Sequence, residues 1–212
     1  MTLELFARAD SDELAPGAWL LRGYAAASDA ELAAAIDAVG GAAPFRHMIT
    51  PGGFRMSVAM TNCGEYGWVS SEAGYRYAQL DPATGQRWPA LPPAFEDLAR
   101  RAAAAAGFAQ FAPDACLVNR YEPGARLTLH QDKDEHDFTR PIVSVSLGAP
   151  ATFLFGGLKR RDRPLRLLLE HGDVVVWGGP SRLRYHGVAP LAESHHPFVG
   201  VARINLTLRR AR

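Results

Sequence analysis

The stretch RINLTLR, residues 203–209, alternates polar and apolar side chains along its whole length. Its odd positions carry Arg, Asn, Thr and Arg, and its even positions carry Ile, Leu and Leu. An alternation of period two predicts a β-strand with one polar and one apolar face. The polar face has two interpretations: it meets water on an edge strand, or it lines a binding site inside the fold.

Short β-rich runs extend from this strand back to about Cys116. Gly, Pro and Asp turns separate the runs, and regular spacing of this kind favours a jelly-roll barrel or sandwich. The interior of such a barrel can hold a ligand if some strands turn polar side chains inward. The runs are ACLVNRY, IVSVSL, ATFLF, LRLLLE, DVVVW and VARINLTL.

Two helices are predicted ahead of or beside this β-rich region. Ser28 and Glu31 form a capping box, and a helix over residues 29–39 is predicted to stop at Gly40. The run PPAFEDLARRAAAAAG predicts a second helix, with proline in its first turn, acids early, arginines later and Gly107 at its end. The predicted fold class is therefore mainly β with flanking helices, an α+β arrangement.

His130, Asp132 and His186 are the candidate metal ligands. Side chains two positions apart on an extended strand point the same way, so His130 and Asp132 can hold one ion together. His186 would arrive from a distant strand. Two histidines and one carboxylate on one face of an octahedral ion leave three positions open, which suits Fe(II) and oxygen chemistry.

The other histidines are interpreted differently. His171 and Asp173 also read HxD, but Gly and Asp between two apolar runs are typical of a hairpin tip. Surface positions are expected for the remaining histidines, which lie in polar, loop-like stretches: His47, His136, His195 and His196.

The two arginines of RINLTLR, Arg203 and Arg209, would lie roughly 20 Å apart on an extended strand at about 3.3 Å per residue. Long side chains that lean in from both ends can bind a short dicarboxylate, because a guanidinium holds a carboxylate through a bidentate fork. After HxD and a later histidine, this arrangement favours a binding site over an edge strand.

Composition bounds the class of protein. With 212 residues and 48% hydrophobic side chains, the chain can form one sizeable core. No signal peptide and no apolar run long enough to span a bilayer is found, so we expect a cytoplasmic protein without a membrane segment. Cys63 and Cys116 are expected to be buried, reduced thiols and not metal ligands.

The net charge of +1 does not by itself indicate a nucleic-acid-binding domain. A local cluster of basic residues is compatible with phosphate contacts and also with a solvated hairpin loop. The cluster comprises Lys159, Arg160, Arg161, Arg163 and Arg166, with Arg182 and Arg184 further along the chain.

Taken together, these features resemble the AlkB family of Fe(II)- and 2-oxoglutarate-dependent dioxygenases, most closely its bacterial nucleic-acid repair members. The resemblance runs from about Phe6 to Arg209 and is far more specific than HxD and a distant histidine. It implies a double-stranded β-helix, which is a jelly-roll variant. The matching motifs are TPGGFRMSVAMTNCG, PDACLVNRYEPGA, LHQDKDE, PIVSVSLG, FGGLKR, LLLEHGDVVVWGG and RINLTLR.

A single catalytic domain over residues 1–212 is expected. Residues 1–44 would form an N-terminal extension and helix, residues 45–90 a substrate-recognition lid, and residues 91–212 a helix and the jelly-roll core. Aromatic residues spaced by Gly and Asn suggest hairpins in the lid region. They are Tyr66, Trp68, Tyr75, Tyr77 and Trp88.

By resemblance, Fe(II) is held by His130, Asp132 and His186, and 2-oxoglutarate and O2 are co-substrates. Co-substrate binding is implied for Asn119, Arg120, Tyr121, Arg203, Asn205, Thr207 and Arg209. Substrate contacts are implied for Trp68, Tyr75, Arg76, Tyr77, Asp134 and Arg160, with Trp68 and His130 stacking on either side of a flipped base. Arg76 stands where the family pattern has an apolar residue. Solvent exposure is the alternative for Asp134, and ordinary hairpin packing is the alternative for the lid aromatics.

The resemblance implies oxidative demethylation of bases such as N1-methyladenine and N3-methylcytosine, with release of succinate, CO2 and formaldehyde. The expected substrate is DNA, single-stranded or duplex with base flipping, and RNA is left open; the expected state is a monomer. Two alternatives also stay open. One is a 2-oxoglutarate-dependent hydroxylase or demethylase of a small molecule or protein, and the other is a non-catalytic metal-binding jelly-roll module.

Overall fold

The computed structural model describes residues 11–212, so the start of the resemblance near Phe6 lies outside the described residues. Its strands form an eight-stranded sheet, a four-stranded sheet and a two-stranded hairpin. The two α-helices are α1 (Asp29–Ala42) and α2 (Pro93–Ala105). The strands are β1 (Ser11–Ala15), β2 (Ala18–Leu21), β3 (Arg46–Ile49), β4 (Arg55–Gly64), β5 (Gly67–Ser71), β6 (Gly74–Ala78), β7 (Ala115–Tyr121), β8 (Leu127–His130), β9 (Ile142–Gly148), β10 (Ala151–Phe155), β11 (Leu165–Leu169), β12 (Val174–Trp177), β13 (His186–Val188) and β14 (Arg203–Arg209).

The two larger sheets face each other across an apolar core. Their strand orders are β1-β2-β12-β9-β14-β7-β4-β3 and β11-β10-β13-β8, and neighbouring strands are antiparallel. Phe153 and Phe155 of β10 pack in one cluster with Trp177 of β12, and the Phe153 and Trp177 ring centroids are 6.2 Å apart. This is the jelly-roll-type fold that the β-rich runs predict.

Both helices cover the outer face of the eight-stranded sheet. Leu32 of α1 and Leu98 of α2 are buried in one cluster with Val118 of β7 and Leu206 of β14. Burial of a side chain of this size contributes about 1.5–3 kcal/mol. The helices therefore stabilise the sheet from outside, and its inner face remains for polar side chains.

Strand β14 lies in the interior of the larger sheet, with β7 on one side and β9 on the other. All of its residues are buried. Ile204, Leu206 and Leu208 pack in the helix-side cluster, so the alternating polar side chains point between the two sheets. The edge-strand interpretation of RINLTLR is therefore wrong, and its polar face is an interior face.

Helix α1 differs from its prediction at both ends. It runs to Ala42, past Gly40 and Gly41, and the Ser28 side chain makes no capping hydrogen bond. Ser28 has φ −109° and ψ 10°, because it also ends a single 3-10 turn, and this is not the extended backbone that a capping serine needs. Gly40 lies against the Phe45 ring, where a Cβ would make a close contact of 3.2 Å.

The second helix agrees with its prediction. It begins at Pro93, directly after an extended Pro92, and ends at Ala105. Gly107 follows with φ +86°, in the left-handed region that favours glycine after a helix.

The predicted N-terminal extension and lid are divided differently in the structure. Strand β2 pairs with β12, and β4 pairs with β7, so parts of residues 1–44 and 45–90 belong to the eight-stranded sheet. Among the strands of residues 11–212, β5 and β6 are the two that belong to neither of the larger sheets. Residues 45–90 therefore contain two strands of the eight-stranded sheet, β3 and β4, as well as this hairpin.

The segment His171–Asp173 connects β11 of the smaller sheet to β12 of the larger sheet. The prediction of a hairpin tip is wrong, although the segment does turn, with Gly172 at φ +87°. His171 stacks on His196 with ring centroids 4.4 Å apart, so His196 is half-buried and not a free surface residue. His47 is also half-buried, in β3, whereas His136 and His195 are exposed as predicted.

Cys63 and Cys116 are buried free thiols, as predicted, and they are register partners in the β4–β7 pair. None of the helices within residues 11–212 is long and apolar enough to cross a membrane.

Truncation of Leu206 to alanine tests the helix-covered face. Leu206 is fully buried, so Leu206→Ala should lower the free energy of unfolding by about 2–5 kcal/mol through lost burial and the cavity left behind. Leu168→Ala is the matched control, because Leu168 is 47% exposed and the same truncation should cost less than about 1 kcal/mol. Chemical denaturation measures both changes, and equal losses would contradict this assignment of faces.

Candidate metal and co-substrate site

The three predicted metal ligands converge. His130 ends β8 and His186 begins β13, and the two histidines are register partners in the smaller sheet. Asp132 lies in the loop after β8, so it does not share an extended strand with His130 as predicted. Its carboxylate nevertheless faces both rings, and the ligand atoms of all three residues lie within 4.8 Å of one another.

Both imidazole rings present the same nitrogen to the carboxylate. Nδ1 of His130 lies 2.8 Å from the Thr128 carbonyl oxygen, and Nδ1 of His186 lies 3.1 Å from the Arg184 carbonyl oxygen. A carbonyl can only accept, so Nδ1 carries the proton and Nε2 keeps its lone pair. The Nε2 atoms are 3.7 Å and 3.6 Å from the Asp132 carboxylate oxygens.

The protonation states suit a cation. Burial and the neighbouring His186 lower the pKa of His130 to about 4, so its ring is neutral near pH 7. Burial acts to raise the pKa of Asp132, but Arg209 and the histidines outweigh it and hold this pKa well below its ordinary value. A neutral imidazole at His130 and a carboxylate at Asp132, with Nε2 of His186 facing the same carboxylate, are a donor set that fits Fe(II).

The inner face of β14 provides polar groups close to this triad. Arg203 is 1% exposed; its Nη2 donates to Ser146 Oγ at 2.8 Å, and its guanidinium lies 5.1 Å from the centre of the Tyr121 ring. Asn205 donates to Ser144 Oγ at 2.8 Å and accepts from Thr207 Oγ1 at 2.9 Å.

Several buried polar atoms on this face lack a hydrogen-bond partner among the described residues. They include Nε and Nη1 of Arg203 and Oδ1 of Asn119. An unsatisfied buried polar group costs about 1–3 kcal/mol, more when it is charged. A buried guanidinium with N–H groups that lack a partner is stabilised by a negative charge, so this face can bind an anionic ligand.

Arg209 connects the triad to other groups. Its Nη2 donates to Asp132 Oδ2 at 2.6 Å, and its Nη1 donates to the Tyr77 hydroxyl at 3.3 Å. Its Nε lies 3.5 Å from Glu135 Oε1. Arg209 therefore touches the candidate metal ligand and the hairpin β5–β6 at once.

The hairpin carries the predicted stacking aromatics. Trp68 and Tyr75 are stacked, with ring centroids 5.4 Å apart and planes inclined by 17°. Nε1 of Trp68 donates to Asp134 Oδ2 at 2.8 Å, so Asp134 is engaged with the hairpin and is only partly exposed. Asn62 fixes the hairpin from β4, since its side chain makes two 3.0 Å hydrogen bonds to the Trp68 backbone.

Two predicted site residues are not brought to these groups. Arg120 is exposed and pairs with Glu122 at 2.9 Å, on the opposite face of β7 from Asn119 and Tyr121. Arg76 is also exposed, on the opposite face of β6 from Tyr75 and Tyr77, and it reaches Ser71 Oγ at 3.4 Å.

The basic cluster separates into two groups. Arg160 and its neighbours Lys159 and Arg161 are exposed in the turn after β10, where phosphate could be reached. Arg182 and Arg184 instead bond internally: Arg182 Nη1 donates to the Asp132 carbonyl at 2.8 Å, and Arg184 Nη1 donates to the Gly156 carbonyl at 2.8 Å. Arg182 is therefore buried and Arg184 half-buried, so neither belongs to the exposed part of the basic cluster.

Sequence reasoning missed other polar residues of the site. Ser144 and Ser146 had a usable signal, because they alternate with valine and leucine in β9 and so share its inner face. Glu135 and Arg182 had none, since charged residues near turns are usually solvated. Asn62 likewise resembles an ordinary polar residue at the end of a strand.

Comparison with known proteins agrees with this geometry. A model of the 2OG-Fe(II) oxygenase superfamily matches residues 17–209. The chain is 57% identical to alpha-ketoglutarate-dependent dioxygenase AlkB of Escherichia coli over 211 residues, which cover 99% of this chain and 98% of that one. It is 34% identical to the human nucleic acid dioxygenase ALKBH1 over 57% of this chain and 31% of that one.

The fold comparison gives the same family. The solved structure of OsALKBH1 superimposes with a TM-score of 0.82 at 28% sequence identity, covering 94% of this chain and 99% of that chain. The chain therefore belongs to the 2OG-Fe(II) oxygenase superfamily and, within it, to the AlkB family.

Proposed function

We propose that the protein removes methyl groups from ring nitrogens of damaged nucleobases, such as N1-methyladenine and N3-methylcytosine, in DNA and also in RNA. The observation that carries this proposal is the attachment of the stacked Trp68–Tyr75 pair to Asp134, two residues after the candidate metal ligand Asp132. An aromatic stack beside a carboxylate fits the flat face and the exocyclic amine of a base. The human relative is named a nucleic acid dioxygenase, which supports the same substrate class.

As a 2OG-Fe(II) oxygenase, the enzyme uses Fe(II), 2-oxoglutarate and O2. We assign the iron to His130, Asp132 and His186, because the Nε2 atoms of both histidines converge with the Asp132 carboxylate. When bound, the iron and its co-substrates oxidise the N-methyl group to an unstable hydroxymethyl group that leaves as formaldehyde, with succinate and CO2 as the other products. Trp177 and Phe153 flank His186 and keep that side of the site apolar.

We assign the carboxylates of 2-oxoglutarate to Arg203 and Arg209. Arg203 supports this assignment with two buried N–H groups that lack a partner among the described residues. Arg209 supports it by its position against Asp132, 2.6 Å away. Asn119, Tyr121, Asn205 and Thr207 complete the polar face by hydrogen bonding to the co-substrate or to one another.

We assign recognition of the base to Trp68, Tyr75 and Asp134, with the His130 ring as the opposite wall. Trp68 uses Oδ2 of Asp134, so the other oxygen, Oδ1, is the one we assign to the exocyclic amine of the base. A methylated Watson–Crick edge pairs poorly, so the cost of flipping this base from a duplex is reduced. Tyr77 anchors the hairpin, and exposed Arg160 and Arg76 are assigned to the phosphate backbone.

We further propose that the enzyme acts as a cytoplasmic monomer. The register partners Cys63 and Cys116 are free thiols, which is typical of a reducing compartment. All of the groups assigned above come from one chain.

The first test uses a short oligonucleotide that carries one N1-methyladenine. Incubation with the protein, Fe(II), ascorbate, 2-oxoglutarate and air should lower its mass by about 14 Da and release succinate, because one methyl group is replaced by hydrogen. Mass spectrometry measures the loss, and an unmethylated oligonucleotide should leave succinate formation at its basal rate. Asp132→Ala should abolish the loss without unfolding, since Glu135 still pairs with Arg209. An unchanged mass with the folded wild-type protein would refute the assignment.

The second test concerns the co-substrate. Arg203→Gln should raise the KM for 2-oxoglutarate roughly 10- to 150-fold, because a lost charge-assisted hydrogen bond costs about 1.5–3 kcal/mol. Arg120→Gln is the matched control. Arg120 is exposed, pairs with Glu122 and lies on the opposite face of β7 from the polar groups of the site, so its substitution should leave this KM unchanged. Succinate formation against 2-oxoglutarate concentration gives both constants. Equal effects of the two substitutions would contradict the assignment of Arg203.

A further inference from the structure

Glu135 carries a carboxylate that is buried beside the site, with 1% of its side chain exposed. A buried charge costs free energy unless opposite charges and hydrogen bonds offset it. The Tyr77 hydroxyl donates to Oε1 at 2.7 Å, and Arg182 Nη2 lies 3.0 Å from Oε2 as an ion pair. Arg209 Nε is 3.5 Å from Oε1. No role assigned above uses this carboxylate.

The first consequence of these contacts concerns Arg209. Its guanidinium is held by Asp132, Tyr77 and Glu135, and each of these groups meets a different nitrogen. A long side chain that is fixed before its ligand arrives loses less conformational entropy on binding. Glu135 therefore contributes to the orientation of a guanidinium that we assign to the co-substrate.

The second consequence concerns the loop of Asp132. Arg182 donates through Nη1 to the Asp132 carbonyl at 2.8 Å and through Nε to the Arg140 carbonyl at 3.0 Å. The same guanidinium is paired with Glu135. The pair of Glu135 and Arg182 therefore bridges the backbone at Asp132 and the side chain of Arg209.

The third consequence concerns the hairpin β5–β6. Trp68 and Tyr77 are register partners across this hairpin. Trp68 Nε1 donates to the carboxylate of Asp134, and the Tyr77 hydroxyl donates to the carboxylate of the next residue, Glu135. The loop that follows Asp132 thus fixes both the hairpin and Arg209.

We propose that Glu135 is a positioning residue that sets the orientation of Arg209 for 2-oxoglutarate and of Tyr77 for the substrate hairpin. Its loss weakens binding of co-substrate and of nucleobase together, although it touches neither. The inference rests on the proposed function, because it requires that Arg209 binds 2-oxoglutarate and that the hairpin binds the base.

Glu135→Gln is the test, because glutamine keeps the shape and an acceptor for Tyr77 but removes the charge beside two arginines. We expect the Kd for 2-oxoglutarate, measured without O2 on Mn(II)-loaded protein by calorimetry, to rise at least about tenfold. The KM for the methylated oligonucleotide should also rise several-fold, whereas kcat at saturating concentrations should stay within about threefold. Glu193→Gln removes an exposed carboxylate and should leave all three constants unchanged.

A wild-type Kd in folded Glu135→Gln overturns this inference and leaves the proposed function intact. Wild-type protein that neither binds 2-oxoglutarate nor demethylates the oligonucleotide defeats the proposed function itself. If the thermal melt shows that Glu135→Gln is unfolded, Tyr77→Phe is the second test. This substitution removes the hydroxyl that donates to Glu135 and keeps the ion pairs of Glu135. We then expect the oligonucleotide KM to rise at least about fivefold and the 2-oxoglutarate Kd to rise by a smaller factor, because Arg209 loses the Tyr77 hydroxyl but keeps Asp132 and Glu135. A wild-type oligonucleotide KM in Tyr77→Phe overturns the inference.

Discussion

The burial of two guanidinium groups on the inner face of β14 is the constraint on which the site depends. Arg203 is 1% exposed and Arg209 is 6% exposed, so neither charge can be solvated by water as a surface arginine is. A buried charge must be offset by opposite charge and hydrogen bonds. Arg209 is paired with Asp132 and lies 3.5 Å from Glu135, although its Nε, like Nε and Nη1 of Arg203, makes no hydrogen bond among the described residues. These unsatisfied N–H groups mark a face where an anionic ligand can bind.

The two faces of the eight-stranded sheet allow such a polar interior. Its outer face is apolar and covered by α1 and α2, so the stability of the fold does not depend on the inner face alone. Inside, Trp177, Phe153 and Phe155 form an apolar wall against His186. Low polarity on that side strengthens the electrostatic interactions of the triad. Burial and the neighbouring His186 lower the pKa of His130, whereas Arg209 holds the pKa of Asp132 well below its ordinary value although burial acts to raise it.

The hairpin β5–β6 is attached to the rest of the fold through side chains, and its strands do not pair with a strand of either larger sheet. Asn62, Asp134 and Glu135 are among the residues that contact it, and two of these three belong to the loop after Asp132. Side-chain bonds to a separate hairpin can be exchanged more readily than the backbone bonds of a sheet. The hairpin can therefore shift more readily than His130 and His186, which are held on the paired strands β8 and β13.

The sequence by itself determined the strand periodicities, the second helix, the candidate metal ligands and the polar face of RINLTLR. These features depend on the local alternation of polar and apolar residues and on residue chemistry, and both can be read from the sequence. Only the tertiary structure decided that β14 lies between β7 and β9, that Arg120 faces away, and that Ser144, Ser146, Glu135 and Arg182 face inward. A charged or polar residue in a loop has the same local signature whether water or a distant partner satisfies it. Which of the two applies is set by contacts between residues far apart in the chain, such as the pair of Glu135 and Arg209.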